Sequence, residues 1–297
     1  QNTKKLFNVH ANNSFKVVNK DIFKFKTKKK FDIVVLNGVA HHTFDPKKSI
    51  DLACKFLKRS GFIILGVSTH AGWFQRNLQR AILYTVSSTQ EEIIKNAKNL
   101  FKNHLKRAKK FGLRTNNQVI YDTYVNPTFN CVSHNEVINI FKKNRINIYS
   151  SLNSEKNLEE FLNPRFEQQA QSHFKETVRK NLNMNEIQEF SLTNNIFSQK
   201  KIFKKIFKVK NLVDKLTKQF NNIIPQKKIN YSSKYLNYLI NEFKKTKKIN
   251  LIDSKYNIKF LEEVKIFLNI LDLKIDKKKK LIKIKKEIYR NKHLFLD

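Results

Sequence analysis

Three groups of polar residues in the first half of the chain follow stretches that are typical of β-strands. Ligands bind at the carboxyl ends of the strands in open parallel sheets, so residues placed there are the first candidates for chemistry. The groups are Asp21, after Phe15–Val18; Asn37–His42, after Phe31–Leu36; and Ser68–His70, after Phe62–Val67. The sequence therefore predicts a binding site formed where these strands end.

The adjacent imidazoles of His41 and His42 are the candidates for catalysis. An imidazole titrates near neutral pH, so it can orient a substrate or act as a general base. Packing beneath the following helix is an equally good interpretation for either histidine alone. Asp32 lies at the amino end of its strand, away from such chemistry, and is interpreted as structural.

Residues 31–67 have the pattern of a strand, a helix and a second strand. Phe31–Leu36 and Phe62–Val67 are nearly all apolar, which predicts strands buried on both faces. Asp45 suits the N-cap of the intervening helix, Pro46 suits its first turn, and Gly61 is expected to end it. Such a βαβ unit implies a parallel sheet with a right-handed crossover.

Further elements complete a predicted α/β domain at residues 1–152. Val119–Val125 is interpreted as a strand or an extended loop, and Ile146–Tyr149 as a strand. Ser133 and Glu136 form a capping box that begins a helix, and His134 is interpreted as part of that turn. Residues 153–297 contain no glycine and have lysine-rich helical segments, which predicts a mainly α-helical basic region. The predicted helical segments there include Leu212–Phe220, Tyr235–Phe243 and Phe260–Leu271.

Two stretches together resemble a known family. Phe31–Pro46 (FDIVVLNGVAHHTFDP) and Leu57–Gly66 (LKRSGFIILG) closely resemble the fourth- and fifth-strand motifs of class I, Rossmann-like S-adenosylmethionine-dependent methyltransferases, and most of all those of the small-molecule branch. Phe15–Phe23 is similar to that family's third strand. Tyr121–Pro127 and Ser133–Val137 are more loosely similar to its substrate-side insertion. In this chain Arg59-Ser60 stands where the family has Pro-Gly, and Ala40 where it has Leu.

The resemblance implies S-adenosyl-L-methionine as cofactor and a small metabolite, sugar or lipid-linked molecule as methyl acceptor. The alternative role is a turn cap for Asp21 and a plain turn glycine for Gly38. For Tyr121, Asp122 and Tyr124 the alternative is an ordinary loop. No His/Cys cluster has metal-ligand spacing, so no metal is predicted. The implied site residues are Asp21, Ile22, Asn37, Gly38 and Val39 for the cofactor, His41 and His42 for catalysis, and Tyr121, Asp122 and Tyr124 for the substrate.

The family's glycine-rich cofactor loop and its first two strands have no counterpart in this sequence. The resemblance implies that the sequence starts in the helix before the third strand. The fold expected is α/β: a partial Rossmann-like methyltransferase sheet, without its first two strands, followed by the helical lysine-rich region. Because the family places those two strands between its third and fourth, the fourth strand should gain an apolar edge. The isolated chain is then expected to fold poorly and to be inactive.

The formal net charge of +36 points to a competing class of function. Such an excess favours polyanions, and the segment Lys200–Lys208 interleaves lysine with phenylalanine. The alternatives are therefore a nonenzymatic basic protein that binds RNA or an anionic membrane, or a degenerate methyltransferase remnant. Lysine greatly outnumbers arginine throughout, which is typical of compositional bias, so nucleic acid is not favoured as a partner.

The compartment and the assembly state are only weakly indicated. Cys54 and Cys131 form no recognisable disulfide or CxxC pattern, which favours a reducing, cytoplasmic location. No apolar stretch reaches the roughly 20 residues that a transmembrane helix needs. The sequence leaves the oligomeric state open.

Overall fold

The computed structural model describes residues 16–112, 114–148, 182–183, 185–186, 203–218, 237–238, 240–241, 244 and 254–290. Its strands are β1 (Phe31–Asn37) and β2 (Leu57–Gly66). A 3₁₀ turn covers Ala40–His42, and a π-helical turn covers Tyr121–Val125. The α-helices of the described part are α1 (Pro46–Lys55), α2 (Phe74–Val86), α3 (Gln90–Leu100), α4 (Lys102–Gly112), α5 (Asn116–Ile120), α6 (His134–Lys143), α7 (Phe203–Lys218), α8 (Ser254–Asp272) and α9 (Lys277–Arg290).

The predicted parallel βαβ unit is confirmed. β1 and β2 pair in parallel, with Ile33 opposite Phe62 and Asn37 opposite Gly66. The helix between them begins as predicted, because the Asp45 side chain accepts a hydrogen bond of 2.9 Å from the Lys48 backbone N–H. The mixed α/β class is likewise confirmed. Within the described residues the sheet has these two strands.

Gly61 does not end the first helix, so that prediction is wrong. The helix ends at Lys55, and Leu57 already pairs with Phe31 in the sheet. The β2 strand then carries an irregularity, because the next pair along the register joins Ile33 to Phe62. Gly61 lies in this bulge, where a Cβ atom would come within 2.7 Å of the Asp32 carbonyl oxygen. Glycine is needed there for close approach of two backbones and not for a helix stop.

Three stretches interpreted as strands, one of them alternatively as an extended loop, are not strands in the residues that the structure describes. Residues 16–18 and 146–148 are not in strands, while Phe15 and Tyr149 lie outside the described residues. Residues 119–125 are helical, because Thr115 and Gln118 form a capping box that starts α5. The buried residues of that stretch have helical spacing and do not alternate: they are Val119, Ile120, Thr123 and Tyr124. A weak alternation in the sequence was misinterpreted as a strand period.

Two separate apolar clusters form the interior. The smaller lies between the sheet, α1 and α6, and includes Leu36, Ile50 and Phe141. The larger joins α2–α5 to the described C-terminal helices, for example through contacts among Phe74, Phe260 and their neighbours. The predicted helices at 212–218 and 260–271 are confirmed, and the described residues of 235–243 are helical. The domain division at residue 152 stays a prediction, but this shared core joins the two proposed domains.

The sheet is covered on one face only. Val34, Leu36, Ile63 and Leu65 face the smaller cluster, whereas the alternate side chains of both strands are exposed. Those outward residues are Ile33, Val35, Phe62 and Ile64, with Val35 62% exposed. The prediction of strands buried on both faces is therefore wrong for the described part of the chain. No described strand pairs with the second edge of β1.

The same substitution at two neighbouring positions should separate the two faces of β1. Val34→Thr places a hydroxyl against the smaller cluster and should lower the free energy of unfolding by about 1–3 kcal/mol. Val35→Thr leaves its hydroxyl in solvent and should change it by no more than about 0.5 kcal/mol. Urea unfolding monitored by circular dichroism measures both variants. Equal losses would show that the outward face is covered.

Candidate active site

The histidine pair is held at the carboxyl end of β1. Gly38 leaves the strand at φ +70°, a backbone conformation that favours glycine, and its N–H donates to the Gly66 carbonyl of β2. The chain then enters the 3₁₀ turn, anchored by the fully buried Ala40. Thr43 closes the turn, because its hydroxyl donates to the Ala40 carbonyl at 2.7 Å. This fixes the backbone of His41 and His42.

His42 contacts two side chains from the π-helical turn and the segment after it. Its Nε2 lies 3.4 Å from Asp122 Oδ1, and its Nδ1 lies 3.1 Å from Asn126 Nδ2. Asn126 is oriented by the Thr128 N–H, which donates to its Oδ1 and turns the amide nitrogen toward His42. The amide therefore donates to Nδ1, so the proton of neutral His42 lies on Nε2 and faces Asp122. Arg114 holds the other Asp122 oxygen at 3.0 Å.

His41 has a different environment from its neighbour. Its ring lies 4.3 Å from the His42 ring and 4.8 Å from the Phe129 ring, centroid to centroid. Its Nδ1 is buried and has no hydrogen-bond partner. Burial, with a smaller effect from the His42 charge, lowers the pKa of His41 to about 4, although Asp122 acts in the opposite direction. His41 is therefore neutral at physiological pH.

An aromatic pair lies beside these histidines. Trp73, the N-cap residue of α2, stacks on Phe129 with ring centroids 4.0 Å apart. The backbone around Phe129 is fixed, because the Asn130 N–H donates to the His41 carbonyl and its amide donates to the Thr43 carbonyl. Sequence analysis missed this pair. Trp73 is the chain's single tryptophan and follows a strand end, which was a usable signal. Phe129 has no comparable signal.

The residues after β2 serve mainly to connect elements. His70 Nε2 lies 3.6 Å from Glu136 Oε2, and the Glu136 carboxylate also contacts Lys47 Nζ at 2.7 Å. The predicted capping box is confirmed, because Glu136 accepts from the Ser133 N–H at 2.8 Å. Burial alone would raise the pKa of Glu136, but hydrogen bonds from His70, Lys47 and Ser133 outweigh it and hold that pKa well below its usual range. This carboxylate ties α6 to α1 and to the segment after β2.

The residues implied for cofactor binding are placed as follows. Asp21 is exposed, and its carboxylate accepts from the Phe23 N–H at 2.9 Å, so it caps a turn. Ile22 is half-buried against the smaller cluster. Asn37 and Val39 are exposed on either side of Gly38, whose Cβ position has open space around it. Residues 37–39 therefore leave room for a ligand at the end of β1, as S-adenosylmethionine bound there would need.

The side chains of the residues implied for substrate binding lie in three different environments. Asp122 meets His42, as described above. Tyr121 is exposed, and its hydroxyl lies 3.4 Å from Gln90 Nε2. Tyr124 is fully buried in the larger cluster, where its hydroxyl contacts Gln79 Oε1 and His104 Nδ1. Tyr124 thus packs inside the protein beneath the site.

His134 does more than complete the capping turn. Its N–H donates to Glu186 Oε1 and its Nδ1 lies 3.0 Å from the Leu182 carbonyl. The Glu186 carboxylate also contacts Lys210 Nζ, and Asp214 binds the same ammonium at 2.6 Å. Glu186 and Lys210 are both fully buried. This charge network joins α6 to α7.

In the part of the chain that the structure describes, no three His, Cys, Asp or Glu side chains are grouped so as to hold a metal ion. Nor does any described helix combine the length and the apolar character needed to cross a membrane. Cys54 and Cys131 are buried and do not form a disulfide.

Comparison with known proteins gives one match. Residues 2–109 match a family model described as a methyltransferase domain. This segment is similar to a methyltransferase domain. The match includes β1, the histidine pair, β2 and α2, and it supports the class I resemblance of the two strand motifs. It ends before Asp122, Asn126 and Phe129. Neither the curated proteins nor the solved structures contain a significant match to the chain.

The protonation of His41 should distinguish it from the other histidines. The pKa of His41 is about 4 in the folded state, below the ordinary 6.5. Between these two pH values the folded protein therefore binds fewer protons than the unfolded protein. The stability from neutral His41 is therefore present above pH 6.5 and is lost as the pH falls toward 4. Nitrogen-15 histidine NMR should show one ring, absent in His41→Asn, that titrates near pH 4. Titration of that ring near its ordinary value would contradict the buried site.

Proposed function

We propose, in place of the expected inactivity of the isolated chain, that the segment matching the methyltransferase family transfers the methyl group of S-adenosylmethionine to a small-molecule acceptor, and that His42 is the catalytic residue. The contact of His42 with both Asp122 and Asn126 carries the proposal. One nitrogen of the imidazole faces a carboxylate, and the other lies beside an amide donor that a substrate can replace. This is the arrangement of a general base. The site lies at the carboxyl end of β1, where open parallel sheets bind ligands.

Asn37, Gly38 and Val39 are proposed to hold the cofactor beside the histidine pair. The cofactor supplies an electrophilic methyl group on its sulfonium sulfur. The open space at Gly38 and the exposed Asn37 and Val39 support this placement. Asp21 and Ile22 remain proposed adenine contacts, although the Asp21 carboxylate already caps a turn.

The acceptor is proposed to bind with its nucleophilic group at His42 Nδ1, in place of the Asn126 amide. When the nucleophile attacks, its proton moves to Nδ1, and the resulting imidazolium keeps its Nε2–H on Asp122. The carboxylate stabilises that positive charge, and Arg114 fixes the carboxylate. Neutral His41 and the Trp73–Phe129 pair form an adjacent wall that excludes water. A small acceptor is favoured over nucleic acid because the charge of the chain is mostly lysine.

Removing the imidazole should abolish most of the activity without unfolding the protein. His42→Asn is expected to reduce methyl transfer about 10²–10⁴-fold, because general base catalysis contributes that much. Asp122→Asn should cause a smaller loss, because it removes only the stabilising charge. Transfer of labelled methyl groups from S-adenosylmethionine to a fractionated metabolite extract measures the rates.

Asp32→Asn is the matched control, because this exposed carboxylate lies at the opposite end of β1 and, among the described residues, forms its ion pair with Lys58. It should leave the rate unchanged. S-adenosylhomocysteine binding, measured by isothermal titration, provides a second readout on the same proteins. If the chain neither binds it nor transfers methyl groups, the proposal is wrong and the degenerate-remnant alternative is favoured.

A second candidate function is the binding of a polyanion by α9, and one surface favours it. Residues 278, 279, 282, 285, 286 and 289 lie on an exposed face. Four of them are lysines, and Ile282 and Tyr289 between them are 59% and 75% exposed. Lysines that flank exposed apolar side chains on a helix are typical of anionic membrane surfaces.

Vesicle co-sedimentation tests this second candidate. Binding to vesicles with phosphatidylserine should be lost at high salt and weakened by Lys285→Gln/Lys286→Gln, because screening and charge removal act on the same attraction. Lys47→Gln, on a separate surface, is the control. Equal sedimentation with neutral vesicles would exclude an electrostatic membrane site.

A further inference from the structure

Helix α2 has a buried cation without a counter-charge in the part of the chain that the structure describes. Arg80 is 3% exposed. Its Nη1 donates to the Thr123 carbonyl at 3.3 Å, and the guanidinium lies 5.8 Å from the centre of the Tyr84 ring. No described carboxylate forms an ion pair with it. A buried charge is costly unless a partner compensates it, so this arginine needs an explanation.

The titratable groups nearest to Arg80 do not supply negative charge. Burial raises the pKa of the Tyr84 hydroxyl and that of the Cys131 thiol, and the positive charge of Arg80 only partly opposes this. Both groups are therefore neutral at physiological pH. Arginine remains charged even when burial lowers its pKa, as it does here. The guanidinium thus has neutral neighbours.

Two more hydrogen-bond donors on the same helix lack acceptors. Gln79 is fully buried. Its Oε1 accepts hydrogen bonds from Arg76 and Tyr124, whereas its Nε2 has no hydrogen-bond partner. The Trp73 Nε1 is buried and also unpartnered. A group that only accepts hydrogen bonds would complement these unpaired donors. Carboxylate and phosphate oxygens are such groups, and arginine binds them with two parallel hydrogen bonds.

These donors lie beside the proposed acceptor pocket. Thr123, which binds Arg80, is the neighbour of Asp122, which contacts His42. Cys131, which interacts electrostatically with Arg80, follows Asn130, whose N–H binds the His41 carbonyl. Trp73 stacks on Phe129, which touches His41. The two segments that surround the histidines are therefore the ones that contact Arg80.

We propose that the region around Arg80 binds an oxyanion, a carboxylate or phosphate of the methyl acceptor, through the Arg80 guanidinium with Gln79 and Trp73 as further donors. The identification of that ligand as the acceptor rests on the proposed methyl transfer, whereas the oxyanion site itself does not. The bound anion supplies the missing negative charge and anchors the acceptor so that its nucleophile faces His42. Arg80 is then a residue that determines substrate specificity.

The test uses benzoate and phenyl phosphate as probes, with benzyl alcohol as their uncharged counterpart. Ligand-observed NMR titrations measure the dissociation constants for the full chain, Arg80→Met and Arg80→Lys. Both anions should bind the wild-type chain, and Arg80→Met should weaken them by about 10- to 100-fold, because a charged hydrogen-bond partner is lost. Arg80→Lys, which keeps the charge without the planar fork, should be intermediate. Comparison of the two anions shows which oxyanion is preferred.

Arg59→Met is the matched control, because Arg59 is an exposed arginine in β2. It should bind the anions as the wild-type chain does, and benzyl alcohol should not distinguish any of the proteins. Thermal unfolding without ligand gives an independent readout. Arg80→Met should not lower the midpoint, since it removes an uncompensated charge. A clear fall would mean that Arg80 is a structural link between α2 and Thr123, and would overturn the proposal.

Two further outcomes would overturn the proposal: equal anion affinity in the wild-type chain and Arg80→Met, or no anion binding to the wild-type chain. If Arg80→Met does not fold, Arg80→Lys decides the outcome by the same comparison. Anion binding that depends on Arg80, in a chain that does not bind S-adenosylhomocysteine, would support the oxyanion site and exclude the proposed methyl transfer. The two proposals can therefore fail separately.

Discussion

Two backbone hydrogen bonds hold the segment 126–132 against the ends of the sheet, and the candidate site depends on them. The Asn130 N–H donates to the His41 carbonyl at 2.8 Å, and the Val132 N–H donates to the Ser68 carbonyl at 3.2 Å. One bond fixes the segment to the turn after β1 and the other to the residues after β2. Asp122 precedes this segment and Asn126 begins it, so the same bonds bring both residues to His42, although Asn126 is 84 residues away along the chain.

Helix α2 has two different buried faces, which explains its unusual composition. Phe74, Leu78 and Ile82 pack in the larger cluster with the C-terminal helices. Gln79 and Arg80, also buried, face the π-helical turn that carries Asp122. A helix enclosed on both sides is expected to be apolar throughout, and polar groups within it reduce stability. The proposed binding of an oxyanion would account for these polar residues, because functional sites commonly exchange stability for a binding surface.

The described C-terminal helices are connected to the earlier part of the chain by apolar packing and by buried charge. Phe260 contacts Phe74, and Glu186 joins His134 of α6 to Lys210 of α7. Removing one member of such a network leaves an unpaired buried charge, so it specifies one arrangement of the helices. The C-terminal helices thus stabilise α2 and α6, whereas the outward face of the sheet is exposed.

The sequence by itself determined the elements whose signals are local. The side chains of Asp45 and Ser133 cap their helices by accepting a hydrogen bond from the backbone N–H three residues further on. The apolar runs of β1 and β2 pair in parallel as predicted. The histidine pair was identified in the same way, from its position after a strand. Residues 119–125 were assigned wrongly, because the local capping box of Thr115 and Gln118 was missed. Burial of Val119, Ile120 and Tyr124 against distant helices adds to their helical form. Only the tertiary structure decided that Asp122 meets His42, that Trp73 stacks on Phe129, and that Arg80 is buried without a described counter-charge. Each of these depends on contacts between segments far apart in the chain, which local spacing does not encode.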